Sequence, residues 1–155
     1  MHTMMCIFLF LTKTIFYVEY LKHMDVLTPE QRCRNMSAIR AKNTAPELLV
    51  RRALHAMGYR YRLHRKDLPG NPDIVLPKYK VVIFVNGCFW HRHSGCKYAT
   101  TPASNADFWK AKFEANIARD KRNYTQLEKL GWKVVVIWEC EIRKGEISKL
   151  ISSKL

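Results

Sequence analysis

Apolar and polar residues change rhythm along this chain, and the rhythm divides it into elements. "LTPEQRCRNMSAIRAKN" opens as a helix does, with Thr28 at the N-cap, Pro29 at the first helical position and Gln31 at the capping-box position. A second helix starts in "NTAPELLVRRALHAMG", where Thr44 caps, Glu47 follows three residues later and Gly58 stops the helix. "YRYRLH" then alternates with the period of a strand, and "DLPGNPD" is a loop. "IVL" is a short apolar run, and "KVVIFVNG" is a longer one of the kind buried on both faces. After a polar stretch, "NADFWKAKFEANIARDKRNYTQLEKLG" reads as one long helix closed by Gly131, and "WKVVVIWE" is another buried strand.

This order has a topological consequence. Strand, long helix, strand implies a right-handed crossover between two parallel strands. The expected fold is α/β, a mixed sheet flanked by helices. Parallel strands end on one edge of a sheet, and the strand over 80–86 runs into Cys88 while the strand over 132–139 runs into Cys140. Two cysteines far apart in sequence are therefore expected side by side.

The first 24 residues follow a different pattern. They are apolar, with Lys13, Glu19 and Lys22 as the only charges, and they hold no clean 18-residue apolar run. No basic leader or small-residue cleavage site marks a signal peptide. The expectation is that translation starts at Met24, that residues 1–24 are an upstream apolar extension and that 25–155 form one domain. The alternative is a membrane anchor.

Charge narrows the partners. The 155 residues carry 27 Lys+Arg against 13 Asp+Glu, a formal net charge of +14, almost all of it beyond residue 24. Such an excess favours a polyanion, because neutralising phosphates releases counterions. The five cysteines are odd in number and scattered, a poor disulfide scaffold that fits a reducing compartment with metal or free thiols.

Chemistry concentrates in "GCFWHRHSGC", residues 87–96. Cys88, His93 and Cys96 with Cys140 form a Cys3His set suited to tetrahedral zinc, and Cys88, His91, His93 and Cys96 form a competing local quartet. The long-range set is preferred because it ties two strand ends together and leaves His91 free. Asp73, after Pro72 at the entry of a strand, has the carboxylate that a Mg²⁺ nuclease needs, although aspartate is also a common turn residue. His91 has an imidazole able to take a proton from an attacking water. Glu47 reads first as a helix cap, and Asp120 in "ARDKR" as a surface ion-pair partner. Phe89, Trp90 and Trp109 read as core aromatics or, on a pinned loop of a basic protein, as rings able to wedge between base pairs.

Five stretches in order, "RNMSAIRAKNTAPE", "LPGNPD", "IFVNGCFWHRHSGC", "FWKAKFEANIARDKR" and "LGWKVVVIWEC", resemble the very short patch repair (Vsr) mismatch endonucleases over about residues 25–143. The resemblance implies a restriction-endonuclease-like core of the PD-(D/E)xK superfamily and a Mg²⁺-dependent nick 5′ of the T in a T:G mismatch left by 5-methylcytosine deamination. By resemblance Asp73 holds magnesium together with the Val85 backbone carbonyl. His91 activates water, and Glu47 and Asp120 assist. Cys88, His93, Cys96 and Cys140 hold structural zinc, while Phe89, Trp90, Trp109 and Met36 enter the duplex.

Three departures stand out. Asn86 occupies the position of a second active-site histidine, "HSGC" has one residue more than "HHC"-type members, and the strand lacks the superfamily's E-x-K. An asparagine amide can still hydrogen-bond a phosphate or a water. The expected protein is a monomeric, bacterial, cytoplasmic mismatch nickase acting on T:G-mismatched double-stranded DNA, with mismatch-repair proteins as candidate partners and no membrane. The alternatives are a zinc-stabilised nuclease of the same fold with different DNA specificity and a non-catalytic zinc DNA-binding protein.

Overall fold

The computed structural model describes residues 42–155 and, ahead of them, positions 28, 30, 31, 34, 37 and 38. Met36 and the whole of residues 1–24 lie outside the described residues. At the first expected helix start, the Thr28 N–H donates to Gln31 Oε1 (2.9 Å) and the Gln31 N–H to Thr28 Oγ1 (3.2 Å), the reciprocal pair of a capping box.

Helix α1 spans Ala45–Ala56 behind the Thr44 cap, with Glu47 completing the box. A four-stranded sheet follows, with β1 at Arg62–Leu63, β2 at Ile74–Leu76, β3 at Val81–Asn86 and β4 at Lys133–Trp138, in that spatial order. β1–β2 and β2–β3 pair antiparallel, and β3–β4 pair parallel from Val81↔Lys133 to Asn86↔Trp138. Helix α2, Ala106–Lys129, makes the crossover. Two helices not anticipated from the sequence, α3 at Glu139–Ile142 and α4 at Ile147–Lys154, close the chain. The sheet is mixed and flanked by helices, as expected. The "YRYRLH" strand shrinks to two exposed residues, because His64 turns into left-handed backbone (φ 46°) and ends the ladder. Among the described residues no helix is long and apolar enough to cross a membrane.

Alternation along the strands sorts the core into two layers. Ile74, Leu76, Val81, Ile83, Val135 and Ile137 face Val50 and Leu54 of α1, Ile142 of α3 and Ile151 of α4. Val75, Val82 and Phe84 face Leu127 of α2 and Leu68 of the loop. Each fully buried aliphatic side chain contributes about 1.5–3 kcal/mol, so the central strands form a rigid base for what stands at their ends. Glu141 fastens the C-terminal helices to that base. It accepts from the Trp138 N–H (2.8 Å) and pairs with Lys154 (2.8 Å).

Candidate active site and metal cluster

The loop before β2 is shaped by Gly70, whose φ of 75° disfavours any side chain. A Cβ there would meet the Asn123 side chain of α2 at 2.9 Å, so the loop lies tightly on the crossover helix. The loop delivers Asp73 beside the end of β3, where its Oδ2 accepts from the Val85 N–H (2.8 Å). Burial pushes its carboxyl up to about 6, and the nearby Glu47 charge adds to this. The Val85 hydrogen bond and the charges of Arg51 and His91 oppose it only in part. A mostly buried carboxylate with one backbone donor is a fitting seat for a hard cation such as magnesium.

Glu47 has two roles. Its Oε1 accepts from the Thr44 hydroxyl (2.9 Å), and its Oε2 takes the Asn43 N–H (3.0 Å) and Nη2 of Arg51 (2.6 Å). Arg51 also reaches Asn43 Oδ1 (2.7 Å) and lies 3.1 Å from His64 Nε2. A guanidinium only donates, so that nitrogen of His64 accepts and the ring is neutral. Burial and the Arg51 charge hold the His64 pKa below its ordinary value. Donor atoms of Glu47, His64 and Asp73 all lie within 4.8 Å of one another. Sequence reasoning reached Glu47 and Asp73 but missed Arg51 and His64. The signals were an arginine four residues after a capping glutamate and a histidine just where strand alternation stops.

His91 and Asp120 meet across 29 positions, with Nδ1 to Oδ2 at 2.5 Å. Burial alone would raise the Asp120 carboxyl, but the His91 hydrogen bond and charge and the Arg119 guanidinium (3.3 Å) hold it below the usual range. One turn earlier on α2, the buried Asn116 donates its Nδ2 to the Trp90 carbonyl (3.0 Å). The long helix therefore grips the 87–96 loop twice and fixes the ring of His91. Asn86, the last residue of β3, is buried and donates its Nδ2 to the Tyr124 hydroxyl oxygen (3.0 Å). A cavity of about 410 Å³ opens here, lined by Asn86, His91, Asp120 and Tyr124 among others.

On the loop's other side, Cys88, His93, Cys96 and Cys140 bring their Sγ and Nδ1 atoms within 4.8 Å of one another. His93 Nδ1 lies 3.2 Å from Cys140 Sγ and 3.8 Å from Cys88 Sγ. The edge of a tetrahedron with zinc–ligand bonds is about 3.6 Å, so the set fits zinc. His93 stacks on Trp138 at 4.2 Å between centroids, which fixes its ring plane. Three thiolates at such range would repel one another unless a cation lay between them. Burial pushes Cys88 up to about 12, while the Tyr98 N–H draws Cys96 down. His91 stands outside this quartet, its Nδ1 taken by Asp120. Gly95, in the "HSGC" segment, takes left-handed backbone with a φ of 68°.

The aromatic residues form one cluster. Phe89 meets Trp90 at 5.0 Å, Trp109 at 5.4 Å and Phe113 at 5.2 Å, each edge to face. Trp109 is buried within it, whereas Phe108, not singled out from the sequence, is 61% exposed.

The profile of the family described as "DNA mismatch endonuclease Vsr" matches residues 24–97. The type II nicking enzyme V.XorIIP of Xanthomonas oryzae pv. oryzae is 54% identical over 118 residues, covering 76% of this chain and 86% of that protein. The type II nicking enzyme V.NmeAIP of Neisseria meningitidis is 48% identical over 125 residues, covering 81% and 89%. The DNA mismatch endonuclease Vsr of Escherichia coli K12 is 40% identical over 122 residues, covering 79% and 78%.

Proposed function

The chain belongs to the Vsr family and is a DNA endonuclease, and on that premise we propose that it nicks one strand of duplex DNA 5′ of the T in a T:G mismatch. The proposal takes residues 25–155 as the nuclease domain, with a restriction-endonuclease-like core. It places the protein in the bacterial cytoplasm and has it act as a monomer. One observation carries the catalytic part: a half-buried carboxylate, Asp73, stands at the end of β3 close enough to feel the charge of a histidine held by an aspartate, His91–Asp120.

Asp73, with the Val85 carbonyl, would hold Mg²⁺, which when bound neutralises phosphate charge and makes a water more acidic. The chain's own residues do the rest. Asp120 accepts from His91 Nδ1–H and fixes the tautomer, leaving Nε2 as the base. The water oxygen attacks phosphorus, its proton passes to His91 Nε2, and the P–O bond to the leaving sugar oxygen breaks. That oxygen takes a proton from solvent. Arg51 neutralises Glu47, so Glu47 acts as a positioning residue for the wall around Asp73 rather than as a free base.

Zinc at Cys88, His93, Cys96 and Cys140 would pin the loop that carries His91. Phe89, Trp90 and Trp109, with Met36 from the other groove, would enter the duplex, where unstacking costs a few kcal/mol per step. The net charge of +14 supports backbone binding.

A direct test incubates T:G-mismatched, other mismatched and matched duplexes with the protein in Mg²⁺ and in EDTA. The expected product is one nick in the T-bearing strand, lost in EDTA and in Asp73→Ala. Equal cutting of the matched duplex would point to another DNA specificity, and tight binding without a nick to a non-catalytic role.

A further inference from the structure

Asn86 is only 4% exposed, and a buried amide must find partners. Its Nδ2 donates to the Tyr124 oxygen at 3.0 Å. The direction matters, because an oxygen that accepts from Asn86 still has its own proton to give. Among the described residues the side-chain hydrogen bond of Tyr124 is this one, in which it accepts. Tyr124 sits one turn after Asp120 on the same face of α2, and its ring packs on Phe84 at 5.0 Å. Tyr124 lines the same cavity as Asn86, His91 and Asp120.

We propose that Tyr124 is a further catalytic residue, whose hydroxyl, held by the Asn86 amide, donates a hydrogen bond to a non-bridging oxygen of the scissile phosphate. Charge builds on that oxygen as water adds to phosphorus, so a preoriented donor stabilises the transition state more than the ground state. No proton is transferred in this contact. Asn86 is the positioning residue: its N–H occupies one lone pair of the phenol oxygen and turns the O–H outward. Burial, against the Asn86 hydrogen bond and with the charges of Asp120 and Asp73, pushes the Tyr124 phenol up to about 12. The proton therefore stays on the oxygen at working pH.

The inference rests on the endonuclease reading, and the test separates the two. Single-turnover nicking of the T:G duplex is compared for wild type and Tyr124→Phe in Mg²⁺, with duplex affinity in EDTA and melting temperature measured alongside. The variant should nick roughly 10- to 100-fold more slowly, with affinity and melting temperature nearly unchanged. A rate within about twofold of wild type overturns the proposal, as does a rate loss matched by equal loss of affinity or stability.

A second variant, Asn86→Asp, makes position 86 an acceptor that draws the phenol proton inward. Adding Tyr124→Phe to it should cost little more, and a fully multiplicative loss overturns the proposal. Were the wild type to nick none of the duplexes, the proposed mismatch nicking would fall and this inference with it. Normal wild-type nicking beside an unimpaired Tyr124→Phe would remove the inference alone.

Discussion

Replacing Asp73 by asparagine should stabilise the metal-free protein while abolishing nicking. An isolated aspartate titrates near 4, and burial raises Asp73 to about 6. Between those values the native protein holds the proton more tightly than the unfolded chain does, so stability falls as pH rises through that window. Above it the native state bears the whole cost, a gap of about two pH units at 1.36 kcal/mol each, or about 3 kcal/mol. An asparagine carbonyl still accepts from the Val85 N–H, so the substitution removes the buried charge and keeps the bond.

The assay is thermal unfolding of both proteins in EDTA from pH 4 to pH 8. The variant should melt roughly 5–10 °C higher at pH 8, and the two should converge near pH 4. Mg²⁺ should then raise the wild-type melting temperature at pH 8 and leave the variant unmoved, since only a carboxylate gains from the cation. A variant that melts at or below wild type at pH 8, or a gap independent of pH, would refute the account of Asp73 as an undercompensated buried charge.

Three further outcomes follow from the site. Asp120→Asn should slow nicking by about 10²-fold or more, because the amide can hold His91 in the wrong tautomer; zinc content by elemental analysis should not change. His91→Ala should likewise keep zinc, and loss of the metal would place His91 among its ligands instead. Cys140→Ser should release zinc and lower the melting temperature by several degrees, and full zinc occupancy would refute that quartet. Gly70→Ala should cost about 1–3 kcal/mol by denaturant titration, since it meets both a φ of 75° and Asn123. An unchanged midpoint would show that the loop yields.

Much of the frame was legible because its signals are local. Thr44 and Glu47 announce α1, two β-branched runs announce β3 and β4, and a single long helix between them forces the parallel pairing that sets Cys140 beside Cys88. The residues that escaped notice depend on long-range closure. His64 looked like the end of a strand, and only the fold brings it to Arg51. Tyr124 looked like one more position on a polar helix, and only the crossover puts its hydroxyl against Asn86. Helix α4 is short and five of its eight residues are polar, yet Ile151 enters the core because β4 leads the chain back across the sheet. Phe108 and Trp109 are neighbours of similar chemistry, and nothing before packing distinguishes the exposed ring from the buried one.

The parallel register between β3 and β4 has a further consequence, for the entropy of the chain. A metal held by Cys88 and Cys140 would close a ring of roughly fifty residues, and such a cross-link removes about 4 kcal/mol of freedom from the unfolded ensemble. Inside that ring lies all of α2, with Asn116, Asp120 and Tyr124 on it. The crossover helix could then fray but not drift away, so reopening the sheet edge would be a brief excursion rather than a loss of its neighbours. The ion would thus protect groups it never touches.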